Sequence, residues 1–244
     1  CVSRLKLSFA CWNYDRTRAL MDGTVPVDGI DLNYLNLPVE ETFFRMARFR
    51  EFDVCEMSLS SYCVSLHKPD RPFIAIPVFP SRFFRHSCIY VNANSGINEP
   101  KDLIGKRIAS PEYQMTAPVW IRGILQDHYG VPVDAQPYLF GGEEETGRIE
   151  KQKLNLPPNI QVHPIQPHQT LSQMLHEGEL DALYTARMPS SFLKGLCSRS
   201  SSTYWPMPSR SWARASAMAI TARQAAQTAT TTTAVSRYQT PRLR

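Results

Sequence analysis

A chain of 244 residues is long enough for one large domain or two small lobes with a sizeable core. Its formal charge of +5 suggests a nucleic-acid partner until the charges are located: seven of the 27 basic residues and none of the 22 acidic ones lie beyond Gly195, so the rest of the chain is slightly acidic and the basicity is not a binding surface. No apolar run reaches the roughly 18 residues of a membrane span and no charged-then-apolar leader precedes Leu5, so neither nucleic acid nor membrane is expected as a partner.

Leu5, Leu7 and Phe9 alternate with Lys6 and Ser8 and predict a strand, which ends in the polar loop Trp12 to Arg16. Thr17 to Asp22 reads as a short helix stopped by Gly23, and 31-DLNYL-35 as a second strand. Pro38 to Arg50 is an amphipathic helix with Val39, Phe43, Met46 and Ala47 on one face. Phe52 to Cys55 predicts a short buried strand, Ser58 to Ser65 a helix, and 73-FIAIPV-78 and Cys88 to Val91 two further strands. Strand and helix in alternation predict an α/β sheet with crossover connections.

A second unit is expected from Asn92. Pro100 to Leu103 predicts a turn of helix, Arg107 to Ala109 a strand, and Thr116 to Tyr129 a helix with Gly130 at its C-terminal cap. Val162 to Ile165 predicts a strand, Leu171 to Glu177 a helix capped by Gly178, and 180-LDALYTA-186 a strand, after which Arg187, Met188 and Pro189 break the pattern. The simplest organisation is lobe one over residues 1–92, lobe two over 93–188 and a crossover toward lobe one over 189–197. Beyond it, residues 198–244 are biased to Ser, Thr, Ala and Arg, lack acids and apolar periodicity, and read as a disordered tail with the look of a shifted reading frame.

Ligands of open α/β sheets bind outside the carboxyl ends of the strands. The residues expected there are Asn13, Tyr14, Asp15 and Arg16 after the first strand, Glu56 and Ser58 after the third, and Arg82, Arg85 and His86 from 80-PSRFFRHS-87. The second unit adds Ser110, Tyr113, Met115 and Thr116, then Thr185 and Arg187. Arginines, hydroxyls and unpaired amides at a helix start suit a small anion. The loop 110-SPEYQMT-116 is the leading candidate seat, with the alternative that Ser110 is a turn residue and Thr116 only a helix cap. Glu56 is read either as a site residue or as a cap of the helix from Ser58, and Arg122, inside a helix, as structural.

The six cysteines show no C-x-x-C pair or regular spacing, and His163 and His168 lack partners at ligand spacing, so neither a disulfide framework nor a metal site is expected and reduced thiols fit. No G-x-G-x-x-G, Walker loop, G-x-S-x-G or H-E-x-x-H occurs, and Gly141-Gly142 opens a run, Glu143 to Glu145, that reads as a flexible acidic loop; no cofactor is expected.

Four phrases, 14-YDRTRALMDGTVPVDGIDL-32, 53-DVCEMSLSSY-62, 105-GKRIASPEYQMTAPVWIRGILQDHYGV-131 and 170-TLSQMLHEGELDALYTARMPSSF-192, resemble the 4,5-dihydroxyphthalate decarboxylase family. The resemblance implies the two-lobed, α/β, type 2 periplasmic-binding-protein-like fold, a cytoplasmic location and a place in phthalate catabolism. It covers nearly all of residues 5–193, and nothing in 195–244 matches the return to lobe one that the family's chain makes. That return is expected to be missing or replaced.

The implied reaction removes CO2 from 4,5-dihydroxyphthalate and leaves 3,4-dihydroxybenzoate. Direct loss of CO2 would leave an aryl anion, so the ring carbon has to be protonated first, helped by electron release from the para hydroxyl; the route needs an acid near the ring and a base near that hydroxyl. His86 and Glu56 are the candidates for the acid. Arg16, Arg82 and Arg187, with the 110–116 loop, are the candidates for holding the two carboxylates, and Asn13, Tyr14, Ser58 and Arg85 complete the expected binding set. The competing reading is a solute-binding protein that captures a small aromatic or sulfonated acid for an ABC-type transporter. The partner is then a small aromatic acid under either reading, and a homo-oligomer is open.

Overall fold

The computed structural model describes residues 3–195, 197–199 and 233–237. In chain order its elements are β1 (Leu5–Ala10), α1 (Arg18–Met21), β2 (Ile30–Leu35), α2 (Val39–Phe49), β3 (Val54–Met57), α3 (Leu59–Leu66) and β4 (Phe73–Ala75). A 3-10 turn over Arg85–Cys88 precedes β5 (Ile89–Asn92), and another covers Pro100–Leu103. Then follow β6 (Ile108–Ser110), α4 (Thr116–Tyr129), β7 (Tyr138–Phe140), β8 (Val162–Pro164), α5 (Leu171–Glu177), β9 (Ala182–Tyr184), α6 (Ser190–Leu193), β10 (Cys197–Arg199) and β11 (Thr233–Arg237).

These elements form two compact units, the first running to Phe83 and taking in β11, the second starting at Phe84 and including β10. The first unit's sheet has the order β2-β1-β3-β11-β4, with β1 parallel to β2 and β3 and with β11 antiparallel to β3 and β4. The second has the order β10-β5-β9-β6-β7-β8; β6, β7, β8 and β9 are parallel, and β5 is antiparallel to β9 and β10. Strand β5, read from the sequence as the end of lobe one, therefore pairs inside the second unit.

The expectation of a tail without packed structure from residue 198 is corrected in two places. Ser198 and Arg199 continue β10 along β5, and residues 233–237 form β11 between β3 and β4, so a return strand to the first sheet is present. The remainder of that expectation, over 200–232 and 238–244, lies outside the described residues.

The second sheet is buried on both faces, and its short strands show why. Along β5, Ile89 and Val91 join one core cluster while Tyr90 joins the other; along β9, Ala182 and Tyr184 face the first and Leu183 the second. This two-residue alternation sends every side chain of the central strands into a helix layer. Ile121 and Leu125 of α4 cover the first face, and Leu171, Met174 and Leu175 of α5 cover the second. The first unit's core gathers Ala10, Met46, Phe52, Cys55, Met57 and Phe73. Gly130 and Gly178 end α4 and α5 at φ of 68° and 78°, in the left-handed region as their cap positions require. The helix cap before α4 is Met115, not Thr116, which is the first helical residue.

Among the described residues no helix is long and apolar enough to cross a membrane, and no cluster of three His, Cys, Asp or Glu side chains is arranged to hold a metal ion. Cys11, Cys55, Cys63, Cys88 and Cys197 are free thiols.

Candidate active site

In the first unit the carboxyl end of β1 meets β3. Glu56 is the third residue of β3 rather than a residue past its end, and it is fully buried. Strand alternation explains this: Cys55 and Met57 point into the core, which sends Glu56 to the opposite face, where the loop after β1 passes. Its Oε1 accepts the Trp12 N–H at 2.6 Å and its Oε2 accepts the Tyr14 hydroxyl at 2.9 Å. Those bonds rule out the alternative that it caps α3.

Arg16 packs against Tyr14. The Arg16 guanidinium lies 4.9 Å from the Tyr14 ring centroid, and the Arg16 Nε–H donates to the Pro80 carbonyl. Arg16 also pairs with Asp15 at 2.8 Å and keeps a half-exposed side chain. Asn13, between Trp12 and Tyr14, is half-buried. Ser58 caps α3 and shares a hydrogen bond with Ser60 at 3.0 Å. The sequence reading thus assembled Asn13, Tyr14, Arg16, Glu56 and Ser58 at one sheet end, and it left out Trp12, whose N–H bonds Glu56.

Burial pushes the Glu56 carboxyl above the ordinary carboxylate value, against the hydrogen bonds from Trp12 and Tyr14 and the charge of Arg16. Burial, then the Glu56 charge, pushes the Cys11 thiol up to about 12. A raised Glu56 means that the folded chain holds a proton the unfolded chain has lost. Its contribution to stability is complete below the ordinary value of 4.5 and disappears as pH rises through the higher value in the fold. Urea unfolding across this range is expected to show wild type losing stability with rising pH and Glu56→Gln losing less; parallel curves would mean that Glu56 is already ionised in the fold.

In the second unit the turn after β6 is occupied by the protein itself. The Glu150 carboxylate accepts the main-chain N–H of Tyr113, and the Met115 N–H donates to the Glu112 carbonyl at 3.2 Å. This corrects the expectation of a vacant anion seat over 110–116. Glu112, 1% exposed, accepts from Arg148 Nε at 3.0 Å, from Arg148 Nη2 at 2.6 Å and from the Lys151 ammonium. Ser110 donates to the Glu112 carbonyl at 3.2 Å, and Thr116 is buried at the helix start. Arg122, as read from the sequence, is structural: its guanidinium lies 3.7 Å from the Tyr113 ring centroid and donates to the Tyr113 carbonyl at 2.6 Å.

The other expected residues scatter. The His86 ring stacks on Phe84 with centroids 5.3 Å apart and meets Tyr129, the last residue of α4, at 6.3 Å, so it sits beside the end of that helix rather than its first turn. Burial, then His128, pushes His86 below the ordinary imidazole value. Arg85 reaches the Cys88 thiol at 3.8 Å, and exposed Arg82 lies 5.7 Å from the Phe79 ring centroid in the first unit. Arg187 is exposed, and its N–H donates to Thr185 Oγ1 at 3.2 Å. Thr185 in turn donates to buried Glu143 at 2.6 Å, while Glu144 takes both the N–H and the hydroxyl of Ser190 at 2.7 Å, so the acidic run read as a flexible loop is bonded into the fold.

No protein-family model matches the chain. Two curated proteins do: a 4,5-dihydroxyphthalate decarboxylase of Comamonas testosteroni is 47% identical over 194 residues, covering 80% of this chain and 59% of that protein. Another from Pseudomonas putida is 47% identical over 194 residues and is covered over 75% of its length. The chain belongs to the 4,5-dihydroxyphthalate decarboxylase family. It spans less than two thirds of the Comamonas testosteroni protein. Among solved structures, the periplasmic aliphatic sulphonate binding protein of Escherichia coli superposes with a TM-score of 0.50 at 13% identity, over 93% of this chain and 77% of that one. The decarboxylase family member thus has the α/β, two-lobed, type 2 periplasmic-binding-protein-like fold.

Proposed function

We propose that the chain is a carboxy-lyase that converts 4,5-dihydroxyphthalate to 3,4-dihydroxybenzoate and CO2 in the cytoplasm, without a cofactor. The observation that carries this reading is its 47% identity, over 194 residues, to proteins named for that activity. The chemistry of the first unit supports it. A proton must reach the ring carbon that bears the departing carboxylate, and a carboxyl group whose hold on its proton is strengthened by burial is a suitable source. Once that carbon carries the proton, the bond to the carboxylate breaks and its electron pair restores the aromatic ring.

Arg16 is the candidate for gripping the retained carboxylate, since its side chain is 51% exposed beside Tyr14. A departing carboxylate gains more from desolvation than from a salt bridge that would stabilise the ground state. The test is incubation of the chain with 4,5-dihydroxyphthalate, measuring CO2 and 3,4-dihydroxybenzoate. Stoichiometric release of both is expected. Saturable binding of the dicarboxylate without product would replace this reading by that of a solute-binding protein.

A further inference from the structure

Glu56 has no exposed surface, so it cannot itself touch a ring carbon. Its two hydrogen-bonded neighbours are the Trp12 N–H and the Tyr14 hydroxyl, 2.9 Å from Glu56 Oε2, and of these only the hydroxyl can both take and give a proton. We propose that Tyr14 is the residue that hands the proton to the substrate, with Glu56 as the buried carboxylic acid that resupplies it. This rests on the decarboxylase reading and deepens it.

The surroundings of the Tyr14 oxygen suit the role. While Glu56 is a carboxylate, Tyr14 donates to it; once Glu56 is protonated it becomes the donor, and the Tyr14 O–H is released to another acceptor. Besides burial, the two strongest influences holding the proton on Tyr14 are the charge of Glu56 and its hydrogen bond, and both vanish when Glu56 is protonated. The Glu56 O–H then donates to the Tyr14 oxygen, and the Arg16 guanidinium 4.9 Å from the ring centroid favours developing phenolate charge.

The step balances. The Tyr14 O–H bond breaks as a C–H bond forms at the ring carbon, the Glu56 proton moves to the Tyr14 oxygen, and the ring–carboxylate bond breaks to release CO2. Glu56 is left as a carboxylate and recovers one proton from water, the proton consumed per turnover.

The titratable and charged groups around Glu56 are Tyr14, Cys11 and Arg16 on the β1 side, Tyr34 on β2 and Cys55 on its own strand. Burial raises both tyrosines and both cysteines, which keeps all four neutral. A fall of kcat with rising pH is therefore expected, with Glu56 as its source.

The test measures kcat, KM and the pH profile of 4,5-dihydroxyphthalate turnover for wild type, Tyr14→Phe and Glu56→Gln. Tyr14→Phe is expected to lower kcat at least about 100-fold while KM stays within about threefold. Glu56→Gln is expected to lower kcat and to abolish its fall with rising pH. A Tyr14→Phe chain that keeps its kcat and raises KM makes Tyr14 a binding residue and overturns the inference alone. An alkaline fall that persists in Glu56→Gln overturns it equally, and this decides the matter should Tyr14→Phe not fold. Wild type that releases no CO2 overturns the decarboxylase reading and this inference with it.

Discussion

Glu112→Ala is expected to destabilise the second unit by about 3–5 kcal/mol, the loss typical of a buried ion pair deprived of one partner. The Glu112 side chain is 2% exposed, the Lys151 side chain 5% and the Arg148 side chain 21%. Without the carboxylate, Arg148 has a route to water; Lys151 does not, and its ammonium would remain in a medium that solvates it poorly. The variant also removes the acceptor for the Lys151 N–H at 3.4 Å, loosening the segment that carries Glu150 onto the turn after β6. Lys151→Met alone leaves Glu112 with the two bonds from Arg148 and should cost less. Lys151→Met in the Glu112→Ala background should recover most of the loss, because an apolar replacement of both partners leaves no buried charge. Urea unfolding of the four chains gives the cycle, and additive losses would show that water already reaches the ammonium.

The elements that could be read from the sequence are those whose signals are local. Gly130 and Gly178 mark helix ends because a left-handed residue is needed there, and Met46 and Ala47 mark the buried face of α2 by their spacing. Strand β3 was misplaced by two residues for a reason that lies elsewhere in the chain. The Asp53 carboxylate takes the Ser8 N–H at 2.9 Å and the Ser8 hydroxyl at 2.8 Å, so pairing starts after it and carries Glu56 into the sheet. Strand β7 is three residues long between Pro137 and Gly141, too short to show a period.

The candidate site divides in the same way. The loop after β1 was legible because a polar run ending an alternating strand is a local pattern, and the buried state of Glu56 was not, because it depends on Trp12 and Tyr14 more than 40 positions away. The 110–116 turn had the composition of an anion seat, but its main-chain N–H groups, expected to be free, are bonded within the protein, Tyr113 to Glu150 and Met115 to the Glu112 carbonyl. Glu150 is 37 positions beyond Tyr113, and nothing in the spacing of acids along 143–150 announces which of them turns inward. Glu112 and Lys151 are likewise joined across 39 positions. These charges are paired by tertiary structure, across distances that no local pattern reports.

Gly142→Ala is the second large effect expected, and it tests whether the acidic run after β7 is a built turn. Gly142 is required by space rather than by backbone angle: it has no positive φ, but an added Cβ would overlap the carbonyl oxygen of Glu145. That atom is main chain, so no rotamer change relieves the clash and the turn itself must open. The turn carries the Gly142 and Glu143 carbonyls that accept the N–H groups of Leu171 and Ser172 at 2.9 and 3.0 Å, the first turn of α5. It also carries Glu143 to Thr185 and Glu144 to Ser190, so opening it strips acceptors from three later segments at once. Overpacking a core typically costs about 1–3 kcal/mol, and the bonds lost here put the expected cost at the upper end or beyond. Thermal unfolding of Gly142→Ala should show this loss, with faster amide exchange at Leu171 and Ser172 than in wild type. A melting temperature equal to that of wild type with unchanged exchange at both amides would mean that the 142–145 turn has room to spare and that α5 is held without it.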